Sequence, residues 1–261
     1  MMGRIEQRLA SLGSRKEKAL ALFITGGYPE LHSAVSLVPI LEEGGADIVE
    51  IGMPFSDPLA DGPVIQASST VALANGAHLQ SILDDVARIR AVSEIPIVLM
   101  GYLNPIVSFG TQDFFSAAAR AGADGIILPE LPLEEAGRFA FECQTARISQ
   151  ILLVTPTSTP ERIRKIDETS RGFVYCVATT GVTGSGGKDP AREYVRNVRT
   201  IVRQNPLLVG FGISSPERAW ELSRDADGVI IGSALIRKIL ESADAAGLRA
   251  WVRRFKNALR E

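Results

Sequence analysis

With two cysteines and two histidines in 261 residues, the chain lacks the material for several kinds of chemistry. Cys143 and Cys176 stand in separate apolar segments with no CxxC spacing, a pattern of inert buried thiols rather than of a disulfide framework or a thiolate metal site. His32 and His78 form no HExxH-like arrangement, so a histidine-built metal site and a Ser-His-Asp triad both drop out. No apolar run approaches the roughly 18 residues that a membrane span needs, and the opening MMGRIEQRLASLGSRKEK has no signal-peptide core. A cytoplasmic protein is expected. Neither sign of charge dominates: 28 Lys and Arg stand against 30 Asp and Glu, a net charge of -2. Without a basic block, nucleic acid is not an expected partner. Only six lysines are present, at 16, 18, 165, 188, 238 and 256, and none follows an apolar strand directly. That leaves no candidate for a Schiff-base or pyridoxal lysine on this chain, so carbon–carbon chemistry would have to run by acid and base alone.

What the chain does have is apolar residues, 46% of the total, enough for a large core without disulfides or metal. Eight short apolar runs read as strands: 19–25, 47–51, 97–100, 125–128, 150–154, 173–177, 207–210 and 228–231. Stretches of helical period lie between them, at 31–43, 79–92, 114–120, 133–145 and 194–204, with a leading helix near 5–12 and a closing one at 245–259. Small and acidic residues recur before the runs, as in Gly44-Gly45-Ala46-Asp47, Gly122-Ala123-Asp124 and Asp225-Ala226-Asp227. Strict alternation implies parallel strands with right-handed crossovers. Eight units in this length, with Thr25-Gly26-Gly27 rather than GxGxxG after the first strand, predict a single (β/α)8 TIM barrel over residues 1–261. The leading helix should form its floor.

In such a barrel the chemistry sits at the carboxyl ends of the strands. Glu50 ends an otherwise apolar strand and by alternation shares a face with Ile48. If that face is interior, burial should raise its pKa into the range of a general acid, unless an arginine pairs with it. The loop that follows carries Asp57 and Asp61. Pro63 can open a helix through Ala74, which makes Asp61 a natural cap as well as a candidate second carboxylate. Three glycine-rich segments suit a phosphate: Gly181 to Gly187, Gly210-Phe211-Gly212-Ile213-Ser214, and Gly232-Ser233 at the start of a helix.

These residues also carry a resemblance. The run from Glu50-Ile51-Gly52-Met53-Pro54-Phe55-Ser56-Asp57-Pro58-Leu59-Ala60-Asp61-Gly62-Pro63 to Gln66 closely resembles the signature of the tryptophan synthase alpha subunit family. Tyr175, Gly181-Val182-Thr183-Gly184, the 210–214 block and Gly232-Ser233-Ala234 are similar to its other blocks, in order. The resemblance implies a lyase of tryptophan biosynthesis that splits indole-3-glycerol phosphate into indole and glyceraldehyde 3-phosphate. It implies Glu50 as the acid–base residue, Asp61 on the indole N–H, and Phe23, Tyr102, Leu128, Tyr175 and Phe211 as the apolar wall. Gly184, Gly212, Gly232 and Ser233 would cradle the phosphate, with Thr183 also binding substrate. It further implies no cofactor on this chain and a beta subunit partner, carrying pyridoxal phosphate, in an alpha-beta-beta-alpha tetramer. A free-standing lyase and a barrel that chiefly activates its partner are the alternatives. The sequence departs from the family's usual Asp-Leu-Pro at Glu130-Leu131-Pro132, and it has Ala178-Thr179-Thr180 before the GVTG block.

Overall fold

A computed structural model of the chain describes residues 2–178, 189–241 and 244–260. Eight parallel strands close into a barrel in sequence order: β1 (Ala19–Thr25), β2 (Ile48–Gly52), β3 (Ile97–Met100), β4 (Gly125–Ile127), β5 (Ser149–Val154), β6 (Val174–Val177), β7 (Leu207–Gly210) and β8 (Gly228–Ile231), with β8 returning to β1. The helices in chain order are α1 (Arg4–Ser14), α2 (Ser33–Gly44), α3 (Pro63–Ala74), α4 (Leu79–Arg90), α5 (Leu103–Phe109), α6 (Thr111–Ala121), α7 (Leu133–Ala136), α8 (Ala140–Ala146), α9 (Pro160–Thr169), α10 (Pro190–Ile201), α11 (Pro216–Ser223), α12 (Ser233–Glu241) and α13 (Ala245–Ala258). The expected TIM barrel is present. Among the described residues no helix is long and apolar enough to cross a membrane.

Alternation along the strands sorts the apolar residues into two cores. Ala21, Ile48, Val98, Ile127, Ile151, Tyr175, Leu208 and Ile230 fill the barrel, while Leu22, Val49, Leu99, Ile126, Leu152, Val174, Val209 and Ile231 pack outward under the helices. Ile5, Leu9 and Leu12 of α1 join the inner set, so the leading helix closes the amino end as a floor.

The recurrent acidic residue before a strand has a specific task at that end. Asp47, Asp124 and Asp227 each accept a backbone N–H from the preceding strand in the barrel, Leu20, Ile97 and Leu207 respectively, at 2.8 to 2.9 Å. A cation then neutralises each: Lys256 on Asp47 at 2.7 Å, Arg90 on Asp124 at 2.9 Å, Arg199 on Asp227 at 2.9 Å. These carboxylates staple neighbouring strands at the floor, which leaves the other end to function. The glycines of the same motif, Gly45 and Gly122, end their helices at φ 109° and 95°, where a side chain would be strained.

Some boundaries differ from the sequence reading. The helix expected over 133–145 is broken by a tight turn at Gly137–Phe139, where glycine interrupts the run. The helix expected from Tyr194 begins at Pro190, because Asp189 caps it by accepting from Ala191 and Arg192 N–H.

Candidate active site

Glu50 is the central observation. It lies on β2 between Phe23 of β1 and Val98 of β3, on the inward face with Ile48, and is wholly inaccessible to solvent. Neither of its carboxylate oxygens has a hydrogen-bond partner among the described residues, and no arginine pairs with it. Leaving a charge there would forfeit hydration without compensation. Burial accordingly pushes its pKa up to about 8, so at neutral pH the group is a carboxylic acid with a proton to give.

The loop after β2 brings Asp61, and not Asp57, to the same place. Asp57 is exposed and accepts from its neighbour Ser56. Asp61 is half-buried on the wall of the cavity that Glu50 lines. Its pKa rises to about 6, through burial first; the nearby Tyr102 hydroxyl pulls it back and the Glu130 charge adds to the rise. The capping role expected for Asp61 is not what the structure has. The residue before α3 is Gly62, in extended conformation with no side-chain cap, and Pro63 at the first helical position has no N–H to satisfy. Asp61 is thereby spared for the cavity.

That cavity opens at the carboxyl ends of the strands and holds about 380 Å³. Phe23, Tyr175 and Phe211, singled out in the sequence, line it together with Gly212, Gly232 and Ser233. Room for the aromatic rings comes from glycines at the strand ends. A Cβ on Gly52 would stand 2.5 Å from the Phe23 ring, and one on Gly210 would overlap the Tyr175 ring. Phe211 is 45% exposed and held at φ 89°, a conformation that a bulky residue adopts only where its surroundings impose it.

Leu128, one residue past the end of β4, lies outside the lining of this cavity and lines a neighbouring one between the β4 and β5 ends. Tyr102 lines an adjoining pocket that shares Phe23, Met100, Asp61 and Ile65, and its hydroxyl accepts the Ala60 N–H at 3.0 Å. It acts on the Asp61 loop more than on the cavity wall. Thr183 and Gly184, and with them the GVTG block and the Thr179 and Thr180 departure, lie outside the described residues. Sequence reasoning missed Met100, Ile65 and Arg237, which also line the cavity. Met100 shares the parity of Val98, and Arg237 stands four residues after Ser233 on one helix face, so the pattern held a signal for both.

Gly212, Ser214, Gly232 and Ser233 also line the cavity, where the β7 and β8 loops meet the amino end of α12. Backbone N–H groups and the helix dipole there suit an anion. The remaining polar groups singled out in the sequence have structural tasks. His32 Nδ1 bonds the buried Asp85 at 2.7 Å, and His78 caps α4 by accepting from Ser81 N–H. Cys143 and Cys176 are buried, which pushes both thiols up to about 12.

Comparison with known proteins finds relatives of one family along nearly the whole chain. The family model described as tryptophan synthase alpha chain matches residues 9–260. The tryptophan synthase alpha chain of Geobacter sulfurreducens is 48% identical over 262 residues, covering 100% of this chain and 98% of that one. Its counterpart from Caldanaerobacter subterraneus is 44% identical, with 100% and 99% covered. Among solved structures, the alpha chain from Legionella pneumophila superposes with a TM-score of 0.91 at 35% identity, covering 99% of this chain and 98% of that one. A chain of Mycobacterium tuberculosis tryptophan synthase gives 0.90 at 35%, with 100% of each covered.

Proposed function

We propose, for a chain that belongs to the tryptophan synthase alpha chain family, that Glu50 and Asp61 divide the acid–base work of its reaction. The reaction itself is that of the family: the chain is a lyase of tryptophan biosynthesis that splits indole-3-glycerol phosphate into indole and glyceraldehyde 3-phosphate. The observation that carries the assignment is a wholly buried Glu50 at the cavity, without a hydrogen-bond partner among the described residues, beside a half-buried Asp61.

The chemistry follows from those two environments. Neutral Glu50 donates its proton to indole C3, and the ring becomes an electron-poor cation. Asp61, still ionised, accepts the indole N–H and stabilises the positive charge as it grows. The Glu50 carboxylate then takes the proton of the hydroxyl on the adjoining glycerol carbon. As that C–O bond gains carbonyl character, the carbon–carbon bond breaks and its electron pair returns to the ring, giving indole and the aldehyde. Glu50 ends protonated again, and no cofactor on this chain takes part. Phe23, Tyr175, Met100 and Phe211 exclude water from the indole, while Gly212, Gly232 and Ser233 hold the phosphate. Gly184 belongs to the same phosphate end by resemblance, with Thr183 also binding substrate.

The active form carries Glu50 protonated and Asp61 ionised. Turnover of bound substrate should therefore follow a bell, rising near pH 6 as Asp61 ionises and falling near pH 8 as Glu50 loses its proton. A steady-state pH profile with both limbs outside that window by two units or more contradicts the assignment. The phosphate site is tested at Gly232, whose φ is not left-handed and where a Cβ would meet Phe23 and Ile65 only at 3.5 and 3.6 Å. Gly232→Ala should leave melting temperature unchanged yet raise KM about tenfold by blocking close approach of the anion. Gly212, at φ 70°, gives no such clean test. An unchanged KM places the phosphate elsewhere.

The partner in this reading is a tryptophan synthase beta chain carrying pyridoxal phosphate, in an alpha-beta-beta-alpha assembly. What supports it is full-length similarity to alpha chains of that enzyme. Indole release by the isolated chain, compared with release after a beta chain is added, tests it. Full turnover alone, unchanged by the beta chain, would make this a free-standing lyase.

A further inference from the structure

We propose that Glu130 is a positioning residue for the lyase reaction: its carboxylate fixes the amino end of α5 and thereby holds Tyr102 against the Asp61 loop. The proposal rests on the role given to Asp61 above. Leu103, the first residue of α5, donates its N–H to Glu130 Oε1 at 2.5 Å across 27 residues of sequence. A helix amino end has unpaired N–H groups and a partial positive charge, and α5 gets no capping bond from Tyr102, the residue before it. Glu130 supplies the missing acceptor from the end of the next strand.

Tyr102 is where this contact meets the site. Its backbone is extended, at φ -113° and ψ 155°, and its ring lies against the loop after β2. There the ring packs on Phe55 with centroids 5.4 Å apart, and the hydroxyl accepts the Ala60 N–H at 3.0 Å with its own proton free for the adjacent Asp61 carboxylate. Three loops are thus linked in series: Glu130 to Leu103, Tyr102 to Ala60 and Asp61. Glu130 is exposed, so the bond adds little to global stability. Its consequence is local, on the carboxylate that must meet the indole N–H. Among the described residues, the charged and titratable groups around Asp61 are Tyr102, Glu130 and Tyr175, with Glu50 and Arg237 lining the same cavity. Of these, Glu130 raises the Asp61 pKa and Tyr102 lowers it, so Glu130 also acts on the acid limb of the rate profile.

Three variants of the full chain, assayed alone and with a tryptophan synthase beta chain, separate these effects. Glu130→Ala removes acceptor and charge; it should lower kcat about tenfold with KM within about twofold, because misplacement of Asp61 is felt in the transition state. Glu130→Gln keeps an acceptor and should keep at least about half of kcat, with the acid limb moved to lower pH. In a Tyr102→Phe background Glu130→Ala should cost little more, since both act through one linkage. Wild-type kcat in Glu130→Ala overturns the proposal, as do additive losses in the double variant. So does a drop in melting temperature with full turnover by the folded protein. If Asp61→Asn loses turnover while Glu130→Ala does not, only this inference fails; if Asp61→Asn keeps turnover, the reading of the site fails first.

Discussion

Glu50→Gln is expected to lose at least about 10²-fold in kcat while substrate binding is nearly unchanged. Glutamine has almost the shape of glutamic acid and can occupy the same dry position between Phe23 and Val98, but it cannot transfer a proton. The same substitution should also stabilise the fold above neutrality, which distinguishes a residue placed for chemistry from one placed for structure. The sign follows from linkage. Burial raises the folded pKa to about 8, above its ordinary 4.5, so between those values the folded chain holds one proton more than the unfolded chain. Wild-type stability therefore falls as pH rises through that window, by up to ~1.4 kcal/mol per unit, and levels off above pH 8. Glutamine has no such dependence. A variant that is more stable at pH 8.5 and yet inactive is the predicted outcome, read by thermal melting and an indole assay; a tenth or more of wild-type turnover would sink the assignment.

Asp61→Asn should cost about 10² to 10³ in kcat, because the charge it stabilises exists only as indole C3 takes its proton. Asparagine can still accept the indole N–H, so KM should move little. Since Gly62 and not Asp61 precedes α3, no helix cap is lost. The carboxylate's raised pKa means that its ionisation works against folding as pH rises from about 4 to about 6, so at neutral pH the amide should be at least as stable as the acid. A large drop in melting temperature with unchanged activity would restore a capping role. Activity retained in full with unchanged stability would remove Asp61 from the mechanism.

Four strands, Ala19–Thr25, Ile97–Met100, Leu207–Gly210 and Gly228–Ile231, have the bounds that their apolar runs predict, because glycine, proline or charged residues punctuate their ends. Glu50 was equally legible, since parity with Ile48 and a lone acid in an apolar strand are local facts. Asp61 was half legible. Its place before a proline suggested a cap, but the extended Gly62 takes that position and frees the carboxylate. Leu128 follows β4 rather than lying in it, so strand alternation does not set where its side chain goes. The bond from Ala60 N–H to the Tyr102 hydroxyl was not legible, since the direction of a hydroxyl has no sequence period. Glu130 could be noted as a departure but not interpreted: its partner lies 27 residues away, and only the closed barrel brings the β4 end beside α5.

Keeping Glu50 neutral at physiological pH, so that it can protonate indole, is the role proposed for its burial in the barrel. Infrared difference spectroscopy of the full chain tests this directly, by comparing the protonated-carboxyl band of wild type with that of Glu50→Gln across pH 6 to 10. The account predicts a wild-type band at pH 7 that is absent in Glu50→Gln and disappears with a midpoint near 8. A Glu50 carboxylate already ionised at pH 6 would contradict it, because the site would then have no acid to give.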